Sequence, residues 1–208
     1  MYAKSNFLQN KLLDFLYRAQ AFAIPSTYYI GLMTSTNGNI ARSTAYALNN
    51  TVSVLTSDGT YHLYKVTTAG TTAATAPTYP GVANEVVTDG TAVLTEQTAG
   101  LESGAAIVEP SGGAYARVAV TPSLTEFSGT QGAGTTTVSS GTSGTISNNV
   151  SISFPTSTAA WGNVWGFFIS DAATAGNFYH FGDMTSPNPI GSGVSASFGA
   201  SNLQIEEV

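Results

Sequence analysis

Two histidines and twelve acidic residues are the side chains of this 208-residue sequence that could carry out acid–base chemistry. Ser170, His180 and Asp183 are of the types that form the nucleophile, base and orienting carboxylate of a hydrolytic triad. Ser170 does not stand in a G-x-S-x-G turn, the strand-to-helix junction that exposes such a nucleophile. Folding could bring any two acids together as a glycosidase-type pair, but no spacing favours a particular pair. The sequence therefore predicts a protein that is not an enzyme, with no catalytic residues.

The sequence lacks the common motifs of cofactor and metal sites. The chain contains no cysteine, which excludes disulfides and thiolate metal sites. It has no Walker loop, dinucleotide fingerprint, H-E-x-x-H helix or calcium loop. Asp58-Gly59 and Asp89-Gly90 are better explained as tight turns than as metal ligands. We expect neither a cofactor nor a metal site.

The composition indicates the kind of surface that the protein presents. Only 9% of residues are charged, against about 25% in an average domain, and small hydroxyl side chains replace them. Such a surface suits β-rich extracellular or virion proteins and chains that contact other subunits. The net charge of −6 argues against nucleic-acid binding. No apolar run approaches the ~20 residues of a membrane span, and the sequence starts without a signal-peptide core.

The last third of the chain, residues 146 to 208, has the pattern of several short strands. Val150, Ile152 and Phe154 alternate with serines, as in a half-buried strand. Val164 to Ser170 is continuously apolar, as in a strand covered on both faces. Further strand-like runs follow a hairpin-length connection, at Phe178 to Met184, Val194 to Phe198 and Leu203 to Glu206. Short strands separated by turns predict an antiparallel β-sandwich or a partly closed barrel, and we favour the sandwich.

The N-terminal segment predicts an amphipathic helix that begins after Ser5 and runs to about Phe22. One apolar stripe is formed by residues at helical spacing, namely Leu8, Leu12, Phe15, Leu16 and Ala19. Phe7, Leu13 and Tyr17 widen this stripe beyond the need of a surface helix. The helix either lies across an open face of the sandwich or docks on a neighbouring subunit through these three residues.

Residues 43–100 have the pattern of an insertion into a core formed by residues 1–42 and 101–208. Strand-like runs at Thr51 to Thr56, Tyr61 to Thr67, Val86 to Asp89 and Ala92 to Glu96 predict a small all-β module. The segment 128–145 is rich in Gly, Thr and Ser, which predicts a flexible loop. Acidic residues recur between Lys65 and Arg117 without any basic residue, which favours a solvated acidic face or a surface for a basic partner.

Several motifs occur in order at both ends of the chain. They are Ser5 to Asp14, Tyr28 to Leu32, Gly112 to Arg117, Ile146 to Asn148, Phe154-Pro155, Trp161-Gly162, Asp171 to Asn177 and Gly182 to Pro187. Together they resemble a family of small tailed-bacteriophage virion proteins of the tail or tail-fibre type. The resemblance implies a structural protein that assembles in multiple copies, as a trimer or ring, with other virion proteins. It also implies synthesis in the bacterial host cytoplasm and a place on the virion.

The insertion resembles a small module of phage virion proteins, some of which are similar to carbohydrate-binding domains. The matching stretches are Ala45-Tyr46, Tyr61, Tyr64, Ala69 to Thr72, Pro77 to Pro80 and Thr88 to Thr91. This resemblance implies that Tyr46, Tyr61, Tyr64 and Tyr79 could stack on sugar rings of the host surface. Tyr79 and Leu94 stand where such modules carry tryptophan.

Three further residues outside the helix are candidates for a subunit interface. Arg117 could hold a carboxylate in a two-pronged contact, either between subunits or as an internal salt bridge. Trp161 and Trp165 could anchor either the core or an interface.

Function is therefore expected to be structural. A tail position (fibre attachment, tip or baseplate) is favoured, and a capsid decoration protein or a glycan-binding module is the alternative.

Overall fold

The structure is a computed structural model, and it describes residues 2–207. The elements of the main body are β1 (Tyr2–Lys4), α1 (Asn6–Arg18), β2 (Tyr28–Ser35), β9 (Val118–Val120), β10 (Thr145–Ser147), β11 (Ile152–Thr156), β12 (Gly162–Ser170), β13 (Phe178–Ile190), β14 (Ser195–Phe198) and β15 (Gln204–Glu206). Between β2 and β9 lie β3 (Ala45–Tyr46), β4 (Thr51–Leu55), β5 (Tyr61–Thr68), β6 (Gly70–Thr71), β7 (Val86–Asp89), β8 (Ala92–Glu96) and α2 (Thr98–Glu102).

A five-stranded antiparallel sheet in the order β1-β13-β12-β2-β9 forms the centre of the body. The apolar strand β12 is central, as a strand covered on both faces should be. Gly31 on β2 lies opposite Phe168 on β12. A Cβ at Gly31 would stand 2.1 Å from the Phe168 ring, so only glycine lets this ring cross the neighbouring strand.

Apolar side chains cover both faces of the central sheet. On one face, residues of β2 and β12 pack against the ribbons β10–β15 and β11–β14, through Ile30, Leu32, Phe167, Ile169, Ile152, Phe154 and Leu203. On the other face, Met33, Trp165 and Phe168 pack against Leu63 and Leu101. The prediction of a mostly β, antiparallel fold with an N-terminal helix is confirmed. The strands described between residues 2 and 207 do not close into a barrel.

A β-bulge in β13 changes which side chains share a face. Ile169 pairs with His180, whereas Ser170 pairs with Phe178, so Tyr179 is the extra residue. The consecutive residues Tyr179 and His180 therefore line the same groove instead of pointing to opposite faces.

The helix α1 begins as predicted and ends earlier than predicted. The Ser5 hydroxyl accepts the backbone N–H of Leu8 at 3.2 Å and donates to the carbonyl of Phe178. The helix ends at Arg18 because Ala19 takes the left-handed conformation, at φ 52°. The expected continuation to Phe22 is wrong. No helix in the described part of the chain is long and apolar enough to cross a membrane.

Residues 43–96 form sheets of their own, a four-stranded sheet β4-β5-β8-β7 and the ribbon β3–β6. Their core contains Tyr46, Val52, Val54, Tyr64, Val66, Tyr79, Val87, Ala92 and Leu94. The contacts with the central sheet include Leu63 and a hydrogen bond of 2.7 Å from the Tyr61 N–H to Asp183 Oδ2. The division into a discontinuous core (1–42 and 101–208) and an inserted module (43–100) stays a prediction.

The segment 128–145 makes hydrogen bonds among its own residues. The Thr130 hydroxyl donates to the Ser140 carbonyl at 2.7 Å, and the Gln131 amide donates to the Val138 carbonyl at 2.7 Å. The flexibility expected of this loop stays a prediction.

Candidate subunit interface

The second half of α1 exposes large apolar side chains to solvent. Leu8 is the buried residue of the helix, while Phe7 and Leu12 are half-buried. Beyond Leu12, the exposed fractions are 55% for Leu13, 53% for Phe15, 63% for Leu16 and 79% for Tyr17. The body therefore holds the first half of the helix, and the second half stands free of it.

An apolar groove of about 570 Å³ adjoins this helix. Its walls come from α1, the central sheet, β10, β15 and the loop after β9, with the apolar residues Leu8, Leu12, Tyr28, Phe127, Ile146, Ile169, Tyr179 and Ile205. Leu8 and Leu12, which line the groove, lie on the part of α1 that precedes its exposed end. The groove is therefore next to the exposed helix surface, although Leu13, Phe15, Leu16 and Tyr17 do not line it.

A small ionic cluster joins the two ends of the chain at the mouth of the groove. Lys4 Nζ lies 2.7 Å from Glu207 Oε2, and His180 Nε2 lies 2.9 Å from Glu207 Oε1. Burial alone would raise the pKa of Glu207, but hydrogen bonds from Lys4 and His180 outweigh it and lower this pKa. Burial lowers the pKa of His180 despite the neighbouring carboxylate.

Phe7, Trp161 and Trp165 lie within the fold of their own chain. The Phe7 ring packs edge-on against Tyr179, with ring centroids 5.4 Å apart. Trp161 Nε1 donates to the Gly113 carbonyl at 2.8 Å, and Trp165 is fully buried under the central sheet. Both tryptophans are thus buried in the core of their own chain, and their role in a subunit interface stays a prediction.

Arg117 also binds inside its own chain. Its Nε and Nη2 donate to the two Glu109 oxygens at 3.0 and 2.7 Å, which is the two-pronged contact expected from the sequence. Its Nη1 donates to the Ala172 and Ala175 carbonyls at 2.7 and 2.8 Å, in the hairpin between β12 and β13. The guanidinium lies 4.8 Å from the Phe168 ring centroid. Only 4% of the side chain is exposed, and a role for Arg117 in a subunit interface stays a prediction.

The four tyrosines proposed to stack on sugars do not form an open platform. Tyr46, Tyr64 and Tyr79 are buried in the core of residues 43–96, and Tyr61 is half-buried. Tyr64 and Tyr79 pack edge-on with centroids 5.1 Å apart, and burial raises the pKa of Tyr64 to about 12. Glycan binding by this insertion stays a prediction, but the faces of the three buried rings contact protein.

Sequence reasoning missed two buried ionic networks in residues 42–96. Asp89, which is fully buried, accepts from Arg42 Nη1 and from the Tyr79 hydroxyl, both at 2.6 Å. Glu96, also fully buried, lies 2.9 Å from His62 Nδ1. The expected solvated acidic face is therefore wrong for Asp89 and Glu96. Each acid pairs with a basic residue that is distant in sequence, and residue spacing alone does not reveal such a pair.

The residues considered for a hydrolytic triad do not meet. Ser170 Oγ accepts from Arg117 at 2.9 Å, His180 contacts Glu207, and Asp183 accepts the Tyr61 N–H. His62 has Glu96 on one ring nitrogen, and its Nε2 lies 3.1 Å from the Thr60 hydroxyl and 3.2 Å from Asp58 Oδ2. That arrangement stabilises the β4–β5 turn, because Asp58 also accepts the Thr60 N–H at 2.9 Å. Residues 2–207 contain no group of three His, Asp or Glu side chains placed to hold a metal ion.

The antiparallel β body leaves an apolar helix end in solvent, and exposed apolar patches of this kind often mark sites of contact with other chains. A family model described as "Podophage GP4 fiber I protein gp80" matches residues 92–206, which is more than half of the 208-residue chain. The chain belongs to this family and is a tail-fibre-type structural protein of the phage virion. No curated protein matches the sequence.

The family match confirms the resemblance to tailed-phage tail-fibre proteins. It begins at Ala92, the first residue of β8, and runs through β15. Residues 43–91 lie outside it, so the similarity of the insertion to carbohydrate-binding modules stays a prediction.

Proposed function

We propose that this chain is a non-enzymatic building block of a phage tail, exposed on the particle exterior and assembled in multiple copies through the second half of α1. One observation carries the proposal: Leu13, Phe15, Leu16 and Tyr17 are all more than half exposed. A large aromatic ring has ~150–250 Å² of surface, so Phe15 and Tyr17 together with Leu13 and Leu16 expose apolar surface on the order of a few hundred Å². An apolar patch of this size is often a site of contact with another chain.

The occupant that fits this surface best is a second copy of the same chain. Each copy carries both an apolar helix end and an apolar groove beside the same helix. When a ridge and a groove on one chain complement each other, the contact repeats from copy to copy and closes into a ring if the rotation allows. A trimer or a larger ring satisfies this geometry and suits a fibre attachment, tip or baseplate position.

The test is the mass of the protein in solution, measured by light scattering and sedimentation over a wide concentration range. The unmodified chain is expected to form one closed oligomer. The combined variant Leu13→Ser, Leu16→Ser and Tyr17→Ser is expected to be a folded monomer, because these side chains contribute little to the fold of their own chain.

The matched control is Leu48→Ser, which changes an apolar side chain of similar exposure (56%) outside the helix and should leave the oligomer intact. A monomer at every concentration, or an oligomer that the triple substitution leaves unchanged, would refute the proposal. A virion image showing the chain on the head shell would assign it to capsid decoration instead of the tail.

A further inference from the structure

The central sheet borders a second cavity. It lies at the C-terminal half of β13, at the opposite end of the strand from the bulge at Tyr179. This cleft has a volume of about 770 Å³ and lies between the second half of β13 and the segment from Val194 to Gln204, which includes β14. That volume is within the ~300–1,000 Å³ range of small-molecule sites.

The sequence explains why the sheet opens at this point. Val164 of β12 pairs with Asn188, whereas Gly166 pairs with Asp183, so residues 184–187 have no partner on β12. Pro187 has no backbone N–H to donate, which favours an interrupted ladder here. The unpaired residues Met184, Thr185 and Ser186 form one side of the cleft.

The floor of the cleft is aromatic. Phe154 and Phe167 are buried below it, and Phe198 is half-buried at its surface. Phe198 contacts both rings edge-on, with centroid distances of 6.2 Å to Phe154 and 5.6 Å to Phe167. The two buried rings therefore hold Phe198 in place while part of it remains open to the cleft.

The walls carry hydroxyl and amide side chains. Among the described residues, those that line the cleft and make no side-chain hydrogen bond within the chain are Thr185, Ser186, Asn188, Ser197, Ser201, Asn202 and Gln204. Hydroxyls and amides both donate and accept, so these walls can satisfy a ligand that also does both. This differs from the loop 128–145, where hydroxyls such as those of Thr130 and Ser143 donate to backbone carbonyls of the same loop.

The charge of the cleft excludes an anionic ligand. No lysine, arginine or histidine lines it, and its one carboxylate, Asp183, already accepts the Tyr61 N–H. A phosphate or carboxylate group would be placed here without a cation to compensate it.

We infer that this cleft binds a neutral oligosaccharide. The C–H face of a sugar ring packs on an aromatic ring such as Phe198, and its hydroxyls bond to side chains such as Asn188 and Asn202. A neutral peptide strand is the other occupant to consider, since β14 pairs with β11 alone among the described strands. An added strand bonds through main-chain groups and leaves the wall side chains unsatisfied, so the lining favours the sugar.

The first experiment applies the full chain to a printed array of neutral and anionic bacterial surface oligosaccharides. Binding to one or more neutral glycans is expected. Hydrogen–deuterium exchange with the best-bound neutral oligosaccharide should then show protection in residues 184–188 and 195–204. Binding to no neutral glycan at millimolar concentration, binding to anionic glycans alone, or protection confined to residues 43–100 would overturn the inference.

Two variants test the lining directly. Asn188→Ala combined with Asn202→Ala removes two exposed amides without disturbing the core, and should weaken binding at least tenfold. Phe198→Leu keeps an apolar side chain but removes the ring, and should weaken binding similarly. The control is Asn10→Ala, an exposed amide on α1 outside the cleft. Unchanged affinity in both test variants, or capture of a neutral peptide by the same cleft, would refute the sugar assignment and leave the assembly proposal standing.

Discussion

Arg117 and Glu109 form a two-pronged ion pair that joins three parts of the chain. Glu109 lies in the segment before β9, and Arg117 is the residue directly before that strand. The Arg117 guanidinium binds both Glu109 oxygens and also donates to the Ala172 and Ala175 carbonyls in the hairpin between β12 and β13. The hairpin is also closed by Asp171, which accepts the Asn177 N–H at 2.8 Å. One buried side chain thus fixes the position of a surface loop.

Arg117→Lys should destabilise the protein strongly, because an ammonium group cannot reproduce the forked contact with Glu109. Removal of one partner of a buried pair costs about 3–5 kcal/mol. Because lysine keeps the charge and Glu109 is partly exposed, we expect a loss of about 2–4 kcal/mol, or roughly 5–15 °C in Tm for a chain of this size. Thermal unfolding measures the loss. Arg18→Lys is the control, since the Arg18–Asp14 pair is exposed and should change Tm by about 1 °C or less. Equal Tm values for the two variants would contradict this role of Arg117.

Gly31→Ala should clash with the Phe168 ring, which lies 2.1 Å from the position of the new Cβ. We expect a loss of about 1–3 kcal/mol in the free energy of unfolding, as for other overpacked cores. Denaturant titration gives this value. Gly191→Ala is the control, because a Cβ there meets no atom within 4 Å. A second substitution, Phe168→Leu, should cost less in the Gly31→Ala background than alone; strict additivity would argue against the clash.

Ser5→Ala should weaken the start of α1 by about 1 kcal/mol, the usual cost of losing an N-cap side chain. The Ser5 hydroxyl also donates to the Phe178 carbonyl, so the substitution loosens the contact between α1 and β13. Hydrogen exchange should therefore become faster in residues 6–12. Ser26→Ala, at an exposed position, should leave exchange unchanged. A normal exchange rate in the Ser5 variant would show that packing of Leu8 alone holds the helix.

Asp58 should contribute to acid stability. Burial would raise its pKa, but hydrogen bonds from Thr56 and Thr60, together with His62, lower it from 3.8 to about 2. A carboxyl group whose folded pKa is depressed stabilises the fold above its unfolded pKa, and this contribution is lost as the pH falls through the folded pKa.

Asp58→Asn should accordingly lower the free energy of unfolding at pH 7. It should also reduce the decrease of this free energy between about pH 4 and pH 2. Since the carboxylate is nearly half exposed, the effect should be at most about 1 kcal/mol. Unfolding free energies measured from pH 2 to pH 7 check this. Glu85→Gln, at an exposed position, is the control, and parallel curves for the Asp58 variant and the unmodified chain would disprove the contribution.

The sequence predicted local features better than long-range ones. The apolar run of β12 and the N-cap of α1 depend on neighbouring residues, and each lies where its pattern indicated. The alternation in β11 is also local, but the strand begins only at Ile152, and Val150 lies outside it and is 42% exposed. The early end of α1 depends on a left-handed Ala19, a conformation that alanine rarely adopts and that its identity does not signal.

The candidate sites were harder to predict because their residues meet only after folding. Tyr64 and Tyr79 have the residue type of a sugar platform, yet a small module with few apolar residues needs those rings for its own core. Asp89 is buried because Arg42, 47 residues away, pairs with it. The cleft beside β13 depends on a missing partner on β12, which no periodicity records.

Lys4 and Glu207 are 203 positions apart along the chain, yet Lys4 Nζ lies 2.7 Å from Glu207 Oε2. Tension applied through flanking segments at these two points would therefore meet this ion pair and the short pairing of β1 with β13 first, and would bypass the central strands. In a mechanically loaded particle, the central strands would therefore carry force only after these contacts had broken.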